Sequence, residues 1–130
     1  MYKSGQTVFK NRKPISSTET SGRDNEYAAL SQATYMMQKT KSIKDRNIQD
    51  FLQSINNNLK LWTIFATDIA REENPLPVEI KSALFYLFEF TQLETHRIIR
   101  GEGDIDTLID INKSIMKGLR GSEVDRCLDL

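Results

Sequence analysis

The chain has 130 residues, and its 18 lysines and arginines balance 18 aspartates and glutamates, so its formal net charge is zero. This length favours one domain, and the balanced charge excludes a protein whose whole surface binds nucleic acid or acidic lipid. One cysteine and one histidine exclude an internal disulfide framework, a multi-cysteine zinc site and a histidine-rich metal centre. No stretch approaches the roughly 20 apolar residues of a membrane span and no signal-peptide core is present, so we expect a cytoplasmic protein.

The beginning of the chain differs in composition from the rest. Four of the first thirteen residues are lysine or arginine, and Pro14 with the following serines and threonine disfavours a helix. We therefore predict an extended or mobile basic N-terminal arm over residues 1–20, a helical domain over 21–120 and a C-terminal tail over 121–130.

Hydrophobic periodicity predicts four helices and hence an all-α, four-helix bundle-like domain. The first helix is expected from about Arg23 to Lys39. Ser42-x-x-Asp45 resembles a capping box for the second helix, which carries the most regular apolar stripe. The asparagines at 56–58 are expected to face outward from it. The members of the stripe are Ile48, Phe51, Leu52, Ile55, Leu59, Trp62, Ala66 and Ile69.

Two apolar stripes characterise the third helix, predicted from about Pro77 to Arg100. Asn74 and Pro75 predict the end of the second helix, since Asn tolerates the left-handed conformation and proline cannot continue a helix. A helix that is apolar on two sides is either central in a bundle or offers one stripe to a partner, and the sequence leaves both open. One stripe contains Ile80, Leu84, Leu87, Thr91 and Ile98, and the other contains Tyr86, Phe90 and Leu93.

The fourth helix is expected to fold back on the third after the tight link Gly101-Glu102-Gly103. Gly118 and Gly121 predict its end. Asn112 interrupts its apolar face, and we favour an internal hydrogen-bonding role over a contact to a bound peptide, because buried polar groups are usually satisfied within the protein. The expected inner face consists of Ile105, Leu108, Ile109, Asn112, Ile115, Met116 and Leu119.

We find no constellation of residues typical of catalysis or of metal binding. The acids between 102 and 110 fail the EF-hand spacing, because the position that needs a terminal Glu is Ile115. His96 lacks a second group for proton transfer, and Cys127 falls in the predicted tail. We therefore expect no enzymatic activity, no cofactor and no metal site.

Four short motifs resemble those of the flagellar biosynthesis regulator FlaF family of α-proteobacteria. They cover most of the predicted helical domain, from Arg23 to Leu119. The third helix departs from the family pattern in its aromatic segment 85–88. The motifs are Arg23-Asp24-x-Glu26-Tyr27, Asn58-x-x-Leu61-Trp62, Asn74-x-Leu76-Pro77 and Leu108-Ile109-Asp110-Ile111-Asn112-Lys113-Ser114-Ile115-Met116-Lys117-Gly118-Leu119.

This resemblance implies a non-enzymatic protein that supports flagellin synthesis and secretion and acts opposite a second regulator, FlbT. We expect an export chaperone for unassembled flagellin, because a bundle with a spare apolar stripe can hold an amphipathic, disordered segment as an added helix. The expected partner-binding residues are Tyr86, Phe90, Leu93 and Asn112. The alternative is direct binding of flagellin mRNA by the basic arm, where aromatic residues alternate with cations as in stacking and phosphate contact.

Overall fold

The computed structural model describes the backbone of residues 15–128 and the side chains of residues 24–119. The described chain forms four helices and no strand: α1 (Ile15–Lys41), α2 (Ile48–Ile69), α3 (Val78–Ile99) and α4 (Ile105–Leu128). Both α1 and α3 pack chiefly against α2 and α4. Because the connections are short, helices adjacent in the chain run antiparallel. The all-α prediction is confirmed.

The start of α1 differs from the prediction. The helix begins at Ile15 instead of near Arg23, so residues 15–20 of the predicted arm are helical. Pro14 precedes the first helical residue, and proline is tolerated there because the first N–H groups of a helix have no intrahelical partner. Residues 1–14 lie outside the described residues.

The N-terminus of α2 is capped by Asn47 and not by the Ser42-x-x-Asp45 box. Asn47 Oδ1 accepts a hydrogen bond from Asp50 N at 3.1 Å, and Asn47 Nδ2 donates to Asp50 Oδ2 at 2.9 Å. Ser42 Oγ instead donates to the carbonyl oxygen of Lys39 at 3.1 Å, at the end of α1. The helix therefore begins at Ile48, later than a cap at Ser42 would place it.

The link between α2 and α3 is shaped by Asn74, although this residue does not end α2. The helix ends at Ile69, followed by Ala70 in the right-handed region. Asn74 Oδ1 accepts from Leu76 N at 3.0 Å, which closes a local Asx turn. Asn74 Nδ2 also donates to Asp68 Oδ2 at 3.2 Å, and this bond ties the link to the last turn of α2.

A complete Schellman motif ends α3. Glu102 N donates to Arg97 O at 2.8 Å and Gly101 N donates to Ile98 O at 2.9 Å. Gly101 has φ of 83°, which a residue without Cβ adopts at little cost. The predicted tight link is confirmed at this turn.

Gly103 and Glu94 bring the start of α4 close to α3. A Cβ at Gly103 would lie 2.8 Å from Glu94 Oε2 and 2.9 Å from the backbone nitrogen of Ile98. The buried Glu94 carboxylate accepts a hydrogen bond from Asp104 N at 2.8 Å, and Asp104 Oδ1 accepts from Asp106 N at 2.9 Å. The start of α4 is therefore held both by α3 and by its own cap.

The end of α4 also differs from the prediction, because the helix continues past Gly118 and Gly121 to Leu128. Glycine costs about 1 kcal/mol relative to alanine inside a helix, which weakens a helix without ending it. The predicted tail over 121–130 is thus helical up to Leu128.

The hydrophobic core lies at the end of the bundle where α1 and α3 finish and α2 and α4 begin. Towards the opposite end, apolar side chains such as Leu84, Leu87 and Ile115 are only partly buried. Among the described residues, no helix combines the length and the apolar character needed to cross a bilayer. The core cluster comprises Met37, Phe51, Ile55, Ile98, Ile105, Leu108 and Ile109.

Candidate functional site

Four buried side chains from three helices form a hydrogen-bonded group, here called the polar node: Thr34 of α1, Asn58 and Trp62 of α2, and Asn112 of α4. Asn112 Oδ1 accepts from Trp62 Nε1 at 2.9 Å. Asn112 Nδ2 donates to Asn58 Oδ1 at 2.8 Å and to Thr34 Oγ1 at 3.1 Å. Asn112 is therefore the hub that joins α1, α2 and α4.

The position of Asn112 decides between its two interpretations. Its side chain is fully buried, and both its carbonyl oxygen and its amide nitrogen bond to other members of the polar node. Asn112 therefore has the internal hydrogen-bonding role, and its side chain is not at the surface where a bound peptide could reach it. We therefore do not retain Asn112 as a partner-binding residue.

Asn58 is buried and not outward-facing, so this part of the prediction for 56–58 is wrong, whereas Asn56 and Asn57 are exposed. Asn58 follows Ile55 by three residues and precedes Trp62 by four, which places it on the inward stripe. This spacing was available in the sequence. Asn58 Nδ2 has no hydrogen-bond partner among the described residues.

The remaining motif residues are divided among the core, the interhelical link and the surface. Leu108 and Ile109 belong to the core cluster, and Asp110 is exposed. The side chain of Arg23 lies outside the described residues. Most of the motif residues therefore have structural roles and do not form one surface. Those partly buried are Glu26, Tyr27, Leu61, Asn74, Leu76 and Leu119, and those exposed are Pro77 and Gly118.

Tyr86, Phe90 and Leu93 form an apolar strip on the outer surface of α3, here called the α3 stripe. Their exposed fractions are 68%, 37% and 64%. The opposite stripe of α3 faces the bundle, where Thr91 and Ile98 are buried. Of the two interpretations of this two-sided helix, the structure favours an apolar stripe that no other element of the described chain covers.

A second, flatter surface lies on the outer side of α2. It is a shallow groove that mixes amides, such as Gln49, Gln53 and Asn56, with the apolar side chains of Leu59 and Ile64. Other exposed apolar residues, among them Tyr35, Val78 and Ile99, are not arranged with helical spacing on one face. The α3 stripe is thus the most regular apolar surface of the described chain.

The described residues contain no group of three or more histidine, cysteine, aspartate or glutamate side chains that could hold a metal ion. His96 is exposed. The shifted pKa values belong to exposed ion pairs. The pKa of Lys41 is raised mainly by its hydrogen bond to Asp106 at 2.6 Å, and the pKa of Glu73 is lowered by its own backbone N–H and by Arg71.

Comparison with known proteins identifies the family. Neither a search of curated proteins nor a search of solved structures finds a match. The family described as flagellar protein FlaF matches residues 11–119, a segment that includes the four motifs, the polar node and the α3 stripe. The chain therefore belongs to the flagellar protein FlaF family, and this membership implies a regulatory role connected with the flagellum.

Proposed function

We propose that this FlaF-family protein binds unassembled flagellin in the cytoplasm and holds one amphipathic flagellin segment as an added helix on the α3 stripe. By keeping flagellin in a form ready for export, it promotes flagellin synthesis and secretion without catalysis. The observation that carries the proposal is the exposure of Tyr86, Phe90 and Leu93 on a helix whose opposite face packs in the bundle.

The spacing of the α3 stripe suits a helical partner. Its residues follow one another at steps of four and three, the register by which one helix contacts another along its length. Fully burying an aromatic or leucine side chain contributes about 1.5–3 kcal/mol, and ordering a disordered segment consumes part of this gain. A stripe of three anchors is therefore suited to a reversible complex, which an export helper needs.

The alternative function, direct contact with flagellin mRNA, depends on the basic arm. Residues 1–14 lie outside the described residues, so no contact in the structure favours this alternative. A regulatory effect through a FlbT-like protein would need no RNA contact. Direct RNA binding is an outcome of the experiment below.

The test is a titration of the full chain with purified flagellin, for the wild type, Phe90→Ala and Ile64→Ala. Ile64 is the matched control, because it is also an exposed apolar residue but lies on α2. We expect the wild type and Ile64→Ala to bind equally, and Phe90→Ala to bind about tenfold more weakly or worse, a loss of ~1.4 kcal/mol.

Two results would overturn the proposal: no flagellin binding by the wild type, or equal binding by Phe90→Ala. The mRNA alternative predicts RNA affinity that falls steeply with salt and disappears when residues 1–13 are deleted. RNA binding of this kind without flagellin binding would replace the proposed function with the alternative.

A further inference from the structure

Two glutamates that form no ion pair within the described part of the chain border the α3 stripe. Glu89 lies three residues after Tyr86, and Glu79 lies two turns before it on the same side of the helix. Both glutamates are exposed, and neither forms an ion pair among the described residues.

The positive charges near the end of α3 already have partners within the chain. Arg97 lies 3.6 Å from the Glu94 carboxylate and donates to the carbonyl oxygen of Glu102 at 3.2 Å. Arg100 pairs with the Glu102 carboxylate at 3.3 Å. Among the described residues, the charged side chains that border the α3 stripe without an ion pair are therefore Glu79 and Glu89.

We propose that the occupant of the α3 stripe is an amphipathic helix whose apolar residues are flanked by lysine or arginine. This inference rests on the proposed function, since it specifies which kind of flagellin segment docks there. A partner with acidic flanks would place like charges beside Glu79 and Glu89 and would bind more weakly. The two glutamates therefore serve mainly to exclude such partners and contribute less to the affinity for the right one.

The dimensions of the surface agree with such a partner. At 1.5 Å per residue, the stripe from Tyr86 to Leu93 spans about 10 Å, the length of two helical turns. Ser82 and Ala83, one turn before Tyr86, are small and exposed, so a partner helix can approach the α3 backbone there. Cations flanking its apolar face would then lie within a Debye length, about 8 Å, of the glutamates.

The test uses two synthetic helical peptides with the same leucine stripe, one flanked by lysines and the other by glutamates. At low salt, we expect the lysine peptide to bind the wild type about tenfold more tightly than the glutamate peptide. Glu89→Lys should weaken the lysine peptide about three- to tenfold and strengthen the glutamate peptide. At about 1 M salt, where the Debye length is ~3 Å, the preference should largely disappear.

Asp45→Lys is the matched control, because Asp45 is an exposed acid in the α1–α2 connection and does not lie on α3. It should not change the preference between the peptides. Equal binding of both peptides, or a preference that Glu89→Lys leaves unchanged, would overturn the inference. A dimer of the chain that Phe90→Glu dissociates would also overturn it, since a second copy would then be the occupant.

The outcomes separate this inference from the proposed function. If flagellin binds the α3 stripe but Glu89→Lys has no effect on its affinity, the charge selection is wrong and the function stands. If flagellin does not bind but the lysine peptide binds with the expected dependence on Glu89, the stripe selects a basic helix from another protein.

Discussion

The polar node and the α3 stripe both depart from the usual distribution, in which polar side chains are exposed and apolar side chains are buried. The node places amides and an indole N–H in the interior, with Asn112 0% exposed, whereas the stripe leaves Tyr86 68% exposed on the surface. Hydrogen bonds within the node compensate its interior polar groups, except for Asn58 Nδ2. Nothing in the described chain covers the exposed apolar residues of the stripe, and for this reason we assign them to a partner.

The two regions also differ in the helices that they use. The node connects α1, α2 and α4, while α3 contributes no side chain to it. α3 is held instead by apolar packing near Ile98 and by the bond between Glu94 and the backbone of Asp104. A partner on the outer face of α3 can therefore bind without disturbing the node, so stability and binding should respond to different substitutions.

The largest effect on stability is expected for Asn112→Ala. The substitution leaves the Trp62 N–H without its acceptor and removes the donor to Asn58, so unfolding free energy should fall by about 2–4 kcal/mol. Urea unfolding followed by circular dichroism measures this loss. Lys113→Ala, at an exposed neighbouring position, serves as the control. A loss below about 0.5 kcal/mol for Asn112→Ala would contradict the structural role of the node.

The next largest effect separates two glycines. Gly103→Ala should lose about 1–3 kcal/mol, because the new Cβ would lie 2.9 Å from the Ile98 backbone nitrogen. A Cβ at Gly118 would have no atom within 4 Å, and the residue lies inside α4. Gly118→Ala should therefore raise the unfolding free energy by about 0.5–1 kcal/mol. The same urea unfolding measures both. If the unfolding free energy changed in the same direction in both variants, Gly103 would not be crowded against α3 as the structure shows.

Substitutions in the α3 stripe should hardly change stability. Tyr86→Ala and Leu93→Ala remove exposed side chains, so the unfolding free energy should change by at most about 0.5 kcal/mol. If these variants unfold like the wild type and still lose flagellin binding, the stripe serves binding and not stability. A loss of several kcal/mol in either variant would mean that the stripe is part of the packed interior.

The smallest effect is expected for the exposed pair between Lys41 and Asp106. Lys41→Met should leave the unfolding midpoint unchanged within error at neutral pH, since exposed ion pairs contribute little. The hydrogen bond to Asp106 raises the pKa of Lys41, so any contribution is complete below the ordinary value of 10.5 and is lost as pH rises through the raised value. If the difference in unfolding midpoint between the wild type and Lys41→Met changed between about pH 6 and 8, this assignment would be wrong.

Periodicity predicted the number and type of the helices and placed α3 within one residue of its ends, because the proline before it and the glycine after it act locally. The cap of α2 was predicted at the wrong residue, since Ser42 and Asn47 are both capping types and only the turn between them decides. Asn58 could have been found from its spacing, whereas its bond to Asn112, 54 residues away, depends on how helices meet.

The α3 stripe shows where sequence reasoning ends. Helical spacing identified its three residues as one face, but the same pattern fits a second buried face of a central helix. Only the arrangement of α2 and α4 around the other side of α3 shows that this face is exposed. What covers it in the cell is a matter of partners and is not encoded in the spacing.

Mapping the flagellin contact by NMR on the full chain tests most directly whether flagellin docks on the α3 stripe. Added flagellin should shift or broaden the amide signals of residues 82–97, with Tyr86, Phe90 and Leu93 among the most affected, and should leave the polar node unchanged. Perturbations confined to the outer face of α2, or none at all, would contradict docking on the α3 stripe.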